Sequence, residues 1–94
     1  MSLGLLTLHI QLPGCASLKE KRSRLKPLIA RLHKEFNISI AELDYQDLWQ
    51  DSLLGIALVS NHHGHTQRAL QSIAAWIEEY WQDVTIVDEK IELV

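Results

Sequence analysis

Four segments of the chain have the apolar pattern of β-strands. Apolar residues stand at every second position across Leu6–Leu12, which is typical of a strand with one face in a core, and we place this strand over residues 3–12. Ile38–Leu43 and Leu53–Val59 predict a second and a third strand. Val84–Val94 is rich in β-branched residues and predicts a fourth.

A first helix is predicted after the first strand. Ser17 and Glu20 have the spacing of a capping box, in which each side chain accepts a hydrogen bond from the other residue's backbone N–H. The apolar residues that follow fall within one sector of a helical wheel: Leu18, Leu25, Leu28, Ile29, Leu32 and Phe36. Pro27 lacks a backbone N–H, so we expect a kink or a break near Lys26.

A second helix is predicted to begin after the candidate N-cap residues Ser60 and Asn61 and to end near Gln82. Its apolar face comprises Leu70, Ile73, Ala74, Ile77 and Trp81. The element order is therefore βαββαβ, which predicts a single α+β domain over residues 1–94: a ferredoxin-like sandwich with two helices on one face of a four-stranded antiparallel sheet. Right-handed crossovers give the strand order 4-1-3-2.

The composition is that of an ordinary globular protein, with 47% hydrophobic and 22% charged residues among 94. No apolar run approaches the roughly 20 residues of a transmembrane helix, and no signal peptide stands at the N-terminus, so we expect no membrane association. The one cysteine, Cys15, cannot form an intramolecular disulfide. These features favour a cytoplasmic protein.

Charge is divided unevenly along the chain. Residues 17–36 hold seven of the nine Lys and Arg residues against two Glu, a charge of +5, whereas the chain as a whole carries −3. The positive end of the helix dipole adds to this charge, and together they suit a phosphate backbone. The candidate nucleic-acid-binding residues are Lys19, Lys21, Arg22, Arg24 and Lys26.

Two other interpretations of this helix remain open. Its charges can form a solvated face with i,i+4 ion pairs, such as Arg31–Glu35, that contribute little energy. Alternatively, Asp44, Asp47 and Asp51 in the turn between the second and third strands lie at the same end of the domain and can neutralise the start of the helix.

Several sequence blocks resemble the bacterial YlxP-like family. They are Leu12-Pro13-Gly14, Ser17–Ser23, Phe36–Ser39 with Ala41-Glu42, Gln46–Gln50 and Leu54–Asn61. The family is one of unknown function, and the resemblance implies a ferredoxin-like fold. Genes of the family often neighbour those of translation and ribosome-maturation factors, which implies a link to RNA. The sequence His62–His65, with its three histidines, departs from the family pattern, so no role is carried over to that loop.

The open face of the predicted sheet lacks the aromatic residues on which RNA-recognition motifs stack bases. The first strand offers Thr7, His9 and Gln11 there, and the third offers small or aliphatic residues. A second copy of the chain can instead cover this face. Large aromatic residues concentrate at protein interfaces, so we name an interaction patch: Trp49, Trp76 and Tyr80.

No set of residues predicts catalysis, a cofactor or a metal site. His62, His63 and His65 do not have the spacing of a zinc site. Cys15 precedes a helix, but no histidine is predicted beside it to act as a base. We therefore predict a non-enzymatic accessory factor that binds RNA or a ribosomal subunit through the first helix. The alternative is a homodimeric scaffold that uses the open sheet face and the aromatic patch.

Overall fold

The computed structural model describes residues 1–94 and has the predicted element order. The strands are β1 (Ser2–Gln11), β2 (Ser39–Asp44), β3 (Asp51–Ser60) and β4 (Thr85–Leu93), and the helices are α1 (Leu18–Glu35) and α2 (His63–Tyr80). All neighbouring strands are antiparallel, and the sheet order is β2-β3-β1-β4. The ferredoxin-like α+β prediction is thus confirmed.

The sheet has one face covered by the helices and one open face. Because paired residues of antiparallel strands share a face, the register assigns Leu6–Ile56 and Leu8–Leu54 to the covered face. The residues on either side of these pairs belong to the open face. Sixteen buried apolar residues from the covered face, both helices and the adjoining loops form one core.

The first helix begins as expected but is not interrupted. The Glu20 N–H donates to the Ser17 Oγ at 3.0 Å, so Ser17 is the N-cap. The reciprocal half of the capping box is absent, because the Glu20 carboxylate instead accepts a hydrogen bond from Arg24. The predicted break near Lys26 does not occur, and α1 continues through Pro27 to Glu35.

The second helix begins later than expected. Its N-cap is His62, whose Nδ1 accepts a hydrogen bond from the Gly64 N–H at 3.1 Å. Ser60, a candidate cap, accepts a hydrogen bond instead from the His62 N–H.

Neither α1 nor α2 has the length and apolar character of a membrane-spanning helix.

Two glycine residues of the sheet are closely approached by side chains. A Cβ built on Gly4 of β1 would lie 2.5 Å from a Thr66 methyl group and 2.7 Å from a Leu70 methyl group, so α2 packs directly against the backbone of β1. On the open face, the Leu43 side chain lies over Gly55. Leu43 reaches this position at an irregularity in the pairing of β2 with β3.

Candidate functional site

The predicted basic residues of α1 divide into an exposed set and an engaged set. Lys19, Arg22 and Lys26 are exposed, and none of them makes an ion pair within 4.0 Å. Their i, i+3, i+7 spacing keeps them within about 60° of the helix circumference and spreads them over roughly 10 Å of its axis. We call Lys19, Arg22 and Lys26 the basic stripe.

Lys21 lies inside the molecule. Only 2% of its side chain is exposed, and its Nζ lies 2.9 Å from the Glu42 Oε2. The same ammonium donates to the Tyr45 carbonyl at 2.6 Å, while Ser52 donates to Glu42. This polar cluster ties α1 to the end of β2, and it leaves Lys21 unable to meet a phosphate at the surface.

Arg24 is engaged with the loops beside α1. It forms a bidentate pair with the Asp83 carboxylate, with both N–O distances at 3.0 Å, and also donates to the Asp83 and Pro13 carbonyls. The hydrogen bond to Asp83 raises the pKa of Arg24 above its ordinary value, against the opposing effect of burial. Arg24 therefore links the segments before α1 and after α2.

The acidic turn forms no ion pair with the basic stripe. Asp51 binds His9, at 2.8 Å between Nε2 and Oδ1, and Asp44 accepts from the Tyr45 N–H. Asp47 makes no ion pair. The carboxylates that do pair with the start of α1 are Glu42, which binds Lys21, and Asp83 and Glu20, which both bind Arg24.

Two of the three predicted patch aromatics come together. Trp76 is half-buried and Tyr80 is exposed, with ring centroids 5.6 Å apart. Trp81 stacks on Trp76 at 6.2 Å with an interplanar angle of 25°. Trp49 is exposed in the turn between β2 and β3 and makes no ring contact with them.

These rings form one wall of a surface cleft that the sequence did not reveal. The Arg31 guanidinium lies 5.9 Å from the Trp76 ring centroid, within cation–π distance. Arg31 also pairs with Glu35, at 3.0 Å between Nε and Oε1. The cleft has a volume of about 600 Å³, and we call it the aromatic cleft: it is lined by Arg31, Glu35, Trp76, Tyr80 and Trp81.

The open sheet face is largely aliphatic between β2 and β1. It contains a shallow hollow of about 270 Å³ around Gly55 and Ala57, with Leu5 and Leu43 among its walls. On its β4 side, this face carries charged residues that lie opposite β1 residues in the strand pairing: Asp88, Lys90 and Glu92. No Phe, Tyr or Trp belongs to β1 or β3.

The histidine loop serves the local structure of α2. His62 caps the helix, and the His63 Nδ1 lies 2.8 Å from the Ser2 Oγ. No group of three or more His, Cys, Asp or Glu side chains is placed to hold a metal ion.

The Cys15 thiol, in the loop before α1, is buried and donates to the Ser17 carbonyl at 3.4 Å.

Comparison with known proteins places this arrangement in a family. A designed protein, "De novo designed protein Foldit4", has a similar fold, with a TM-score of 0.53 and 8% identity over 100% of this chain and 97% of its own. "Uncharacterized protein YlxP" of Bacillus subtilis (strain 168) is 45% identical over 64 residues, which are 68% of this chain and 70% of that protein. The family "Protein of unknown function (DUF503)" matches residues 3–91. The chain therefore belongs to the DUF503 family, as its resemblance to YlxP-like proteins predicted.

Proposed function

We propose that the protein is a non-enzymatic accessory factor of the cytoplasm that binds RNA or a ribosomal subunit through the basic stripe. One observation carries this proposal: Lys19, Arg22 and Lys26 are exposed side by side without carboxylate partners, in a chain whose net charge is −3. Unpaired cations in a row attract a phosphate backbone and release its condensed counterions.

The surrounding charges support docking on this flank. Because the ammonium of Lys21 is buried and the guanidinium of Arg24 is engaged by Asp83, the cations free for an external contact at the start of α1 are those of the stripe. Acidic residues elsewhere repel phosphate, so a strand is guided to the exposed face of α1. Binding of this kind reads the nucleic-acid backbone and positions the protein without selecting a sequence.

The salt dependence of binding gives the first test. Three phosphate contacts to single-stranded RNA predict a slope of about −2 in a plot of log K against log salt. Replacing Lys19, Arg22 and Lys26 together by Glu should abolish binding of fluorescently labelled RNA, or of purified ribosomal subunits, at about 50 mM salt.

A charge-matched control separates the stripe from net charge. Gln67, Arg68, Gln71 and Lys90 are exposed residues outside α1, and replacing all four by Glu changes the net charge by the same amount. This control variant should keep most of the affinity for RNA. The proposal fails if the stripe variant and the control variant lose binding equally, or if the unaltered protein shows no salt-dependent binding.

The open sheet face favours a second candidate function, that of a homodimeric scaffold. Several aliphatic residues share that face: Leu3, Leu5, Leu43, Leu53, Ala57 and Val59. Leu43 and Val59 are 56% and 65% exposed, and grouped exposure of this kind marks interaction surfaces.

A second copy of this chain suits the area and shape of that face. At ordinary strand spacing, the open sheet face has a projected area of roughly 500–600 Å². This area approaches the ~800 Å² per partner of a standard interface. A two-fold arrangement lets Leu43 or Leu5 of each copy enter the hollow at Gly55 of the other. It also leaves the charged β4 side at the rim. Sedimentation at micromolar concentration should detect a dimer, and a strictly monomeric protein would exclude this candidate.

A further inference from the structure

We propose that the aromatic cleft binds an unpaired base of the RNA strand, and that guanine fits it best. This inference rests on the proposed function, because the strand would be held by the basic stripe of the same helix. It adds a binding site for the base itself, whereas the stripe contacts only the backbone. The ligand is then single-stranded RNA rather than a duplex.

The rings of the cleft provide a stacking platform. Tyr80 is 63% exposed at the end of α2, and the half-buried Trp76 and Trp81 hold each other at 6.2 Å. Phe36 meets Trp76 edge-on at 6.3 Å and supports it from the core side. A cluster of aromatic rings that is supported from the core side and includes an exposed ring, that of Tyr80, resembles the surfaces on which unpaired bases stack.

The polar residues of the cleft suit the edge of a base. Arg31 and Glu35 bind each other through one atom each, Nε and Oε1. The two terminal guanidinium nitrogens and the Glu35 Oε2 make no hydrogen bond within the protein. Donors and an acceptor are therefore available side by side next to the rings.

Guanine matches this arrangement because of its Watson–Crick edge. The O6 atom accepts a hydrogen bond, and the adjacent N1–H and N2–H groups donate. Arg31 can donate to O6 while the Glu35 carboxylate accepts from N1–H and N2–H. On that edge adenine presents one donor group beside one acceptor, and cytosine presents one donor group beside two acceptors, so each offers the carboxylate fewer partners.

The position of the cleft agrees with a strand that crosses α1. Arg31 follows Lys19 by twelve residues, which places it about 120° around the helix from that end of the stripe. The exposed ridge of α1, with Ala30 and Lys34, lies between them. A short strand that crosses this ridge would contact the stripe with its phosphates and the cleft with one base.

The intrinsic fluorescence of the cleft provides the test. A Trp49→Phe variant leaves Trp76 and Trp81 as the emitting tryptophans, and free guanosine, which has no phosphate, serves as the probe in about 500 mM salt. We expect saturable quenching by guanosine and weaker quenching by adenosine and cytidine. Tyr80→Ala should weaken guanosine binding roughly tenfold, the order of one lost stacking contact.

Further variants separate this site from the stripe. Glu35→Gln should remove most of the preference for guanosine over adenosine while leaving stacking in place. The Lys19, Arg22 and Lys26 triple variant should retain guanosine quenching even if it no longer binds RNA, so failure of the stripe and failure of the cleft are distinguishable. Circular dichroism would check that each variant is folded.

Three results would overturn the inference. The first is the absence of saturable quenching by any nucleoside. The second is equal quenching by guanosine and cytidine, which would contradict the assignment of guanine. The third is quenching by a proline-rich peptide but by no nucleoside, which would make the cleft a protein-docking site.

Discussion

The ammonium of Lys21 lies 2.9 Å from the carboxylate of Glu42, and only 2% of the lysine side chain is exposed. A charge at this depth is stable only with its partners, which here are Glu42 and the Tyr45 carbonyl. Tyr45 has a φ of 65°, and this left-handed backbone accompanies the presentation of its carbonyl to the ammonium. The turn after β2 and the first turn of α1 are thus stabilised together.

Breaking this pair from one side should destabilise the fold. We expect Glu42→Leu or Lys21→Met to lower the free energy of unfolding by about 2–4 kcal/mol, since each leaves a polar group without its partner. The double variant Lys21→Met with Glu42→Leu should recover much of that loss. Urea denaturation of the two single variants and the double variant measures the coupling energy. Additive losses would contradict a direct interaction.

The sequence predicted the strands and both helices because alternation and helical periodicity depend on local spacing, and the strand order followed from right-handed crossovers. It named Lys21 only as a candidate nucleic-acid-binding residue, whereas the side chain is buried. Its partner could not be predicted, since Glu42 and Tyr45 are brought to it by the β2 irregularity and the turn that follows. The same reason applies to Arg24 and Asp83, which are 59 residues apart.

The aromatic cleft was only half predictable. Trp76 and Tyr80 are spaced i,i+4, and the sequence predicts both as members of the interaction patch. Trp81 was assigned to the core because α2 was expected to continue to Gln82. The helix ends at Tyr80, and Trp81 has non-helical backbone angles (φ −130°, ψ 64°). Its ring therefore stacks on Trp76 at the surface of the cleft.

Arg24 should be sensitive to conservative replacement. Arg24→Lys keeps the charge but cannot form the bidentate pair with Asp83 while also donating to Pro13. We expect a loss of about 1 kcal/mol in the free energy of unfolding. Because the pKa of Arg24 is raised in the folded protein, its contribution to stability is fully present below its unfolded-state pKa. That contribution is lost only as pH rises through its folded-state pKa. Thermal unfolding at pH 7 and at pH 9 should therefore show the same difference in the free energy of unfolding between Arg24→Lys and the unaltered protein. A difference that disappears at pH 9 would contradict this role.

Gly4 should tolerate no side chain. The Gly4→Ala methyl group would meet Thr66 and Leu70 at 2.5 and 2.7 Å, and separating α2 from β1 should cost about 1–3 kcal/mol. Gly55→Ala is the matched control, because its methyl group meets the side chain of the exposed Leu43, which can move aside. In chemical denaturation, the unfolding midpoint of Gly4→Ala should lie well below that of Gly55→Ala. Equal midpoints would show that the α2–β1 contact is looser than described.

Leu43→Glu tests whether the open sheet face is an interface between two copies. Leu43 is 56% exposed in the single chain, so a charge there should change the stability of the monomer by less than about 1 kcal/mol. In a two-fold dimer the same substitution places a carboxylate in an apolar interface, where an unpaired charge is strongly unfavourable. We expect the dimer dissociation constant to rise at least tenfold in sedimentation equilibrium. Leu48→Glu is the control, because Leu48 is similarly exposed, at 49%, but lies in the turn between β2 and β3. If both substitutions shift the dissociation constant equally, the interface does not lie on the open sheet face.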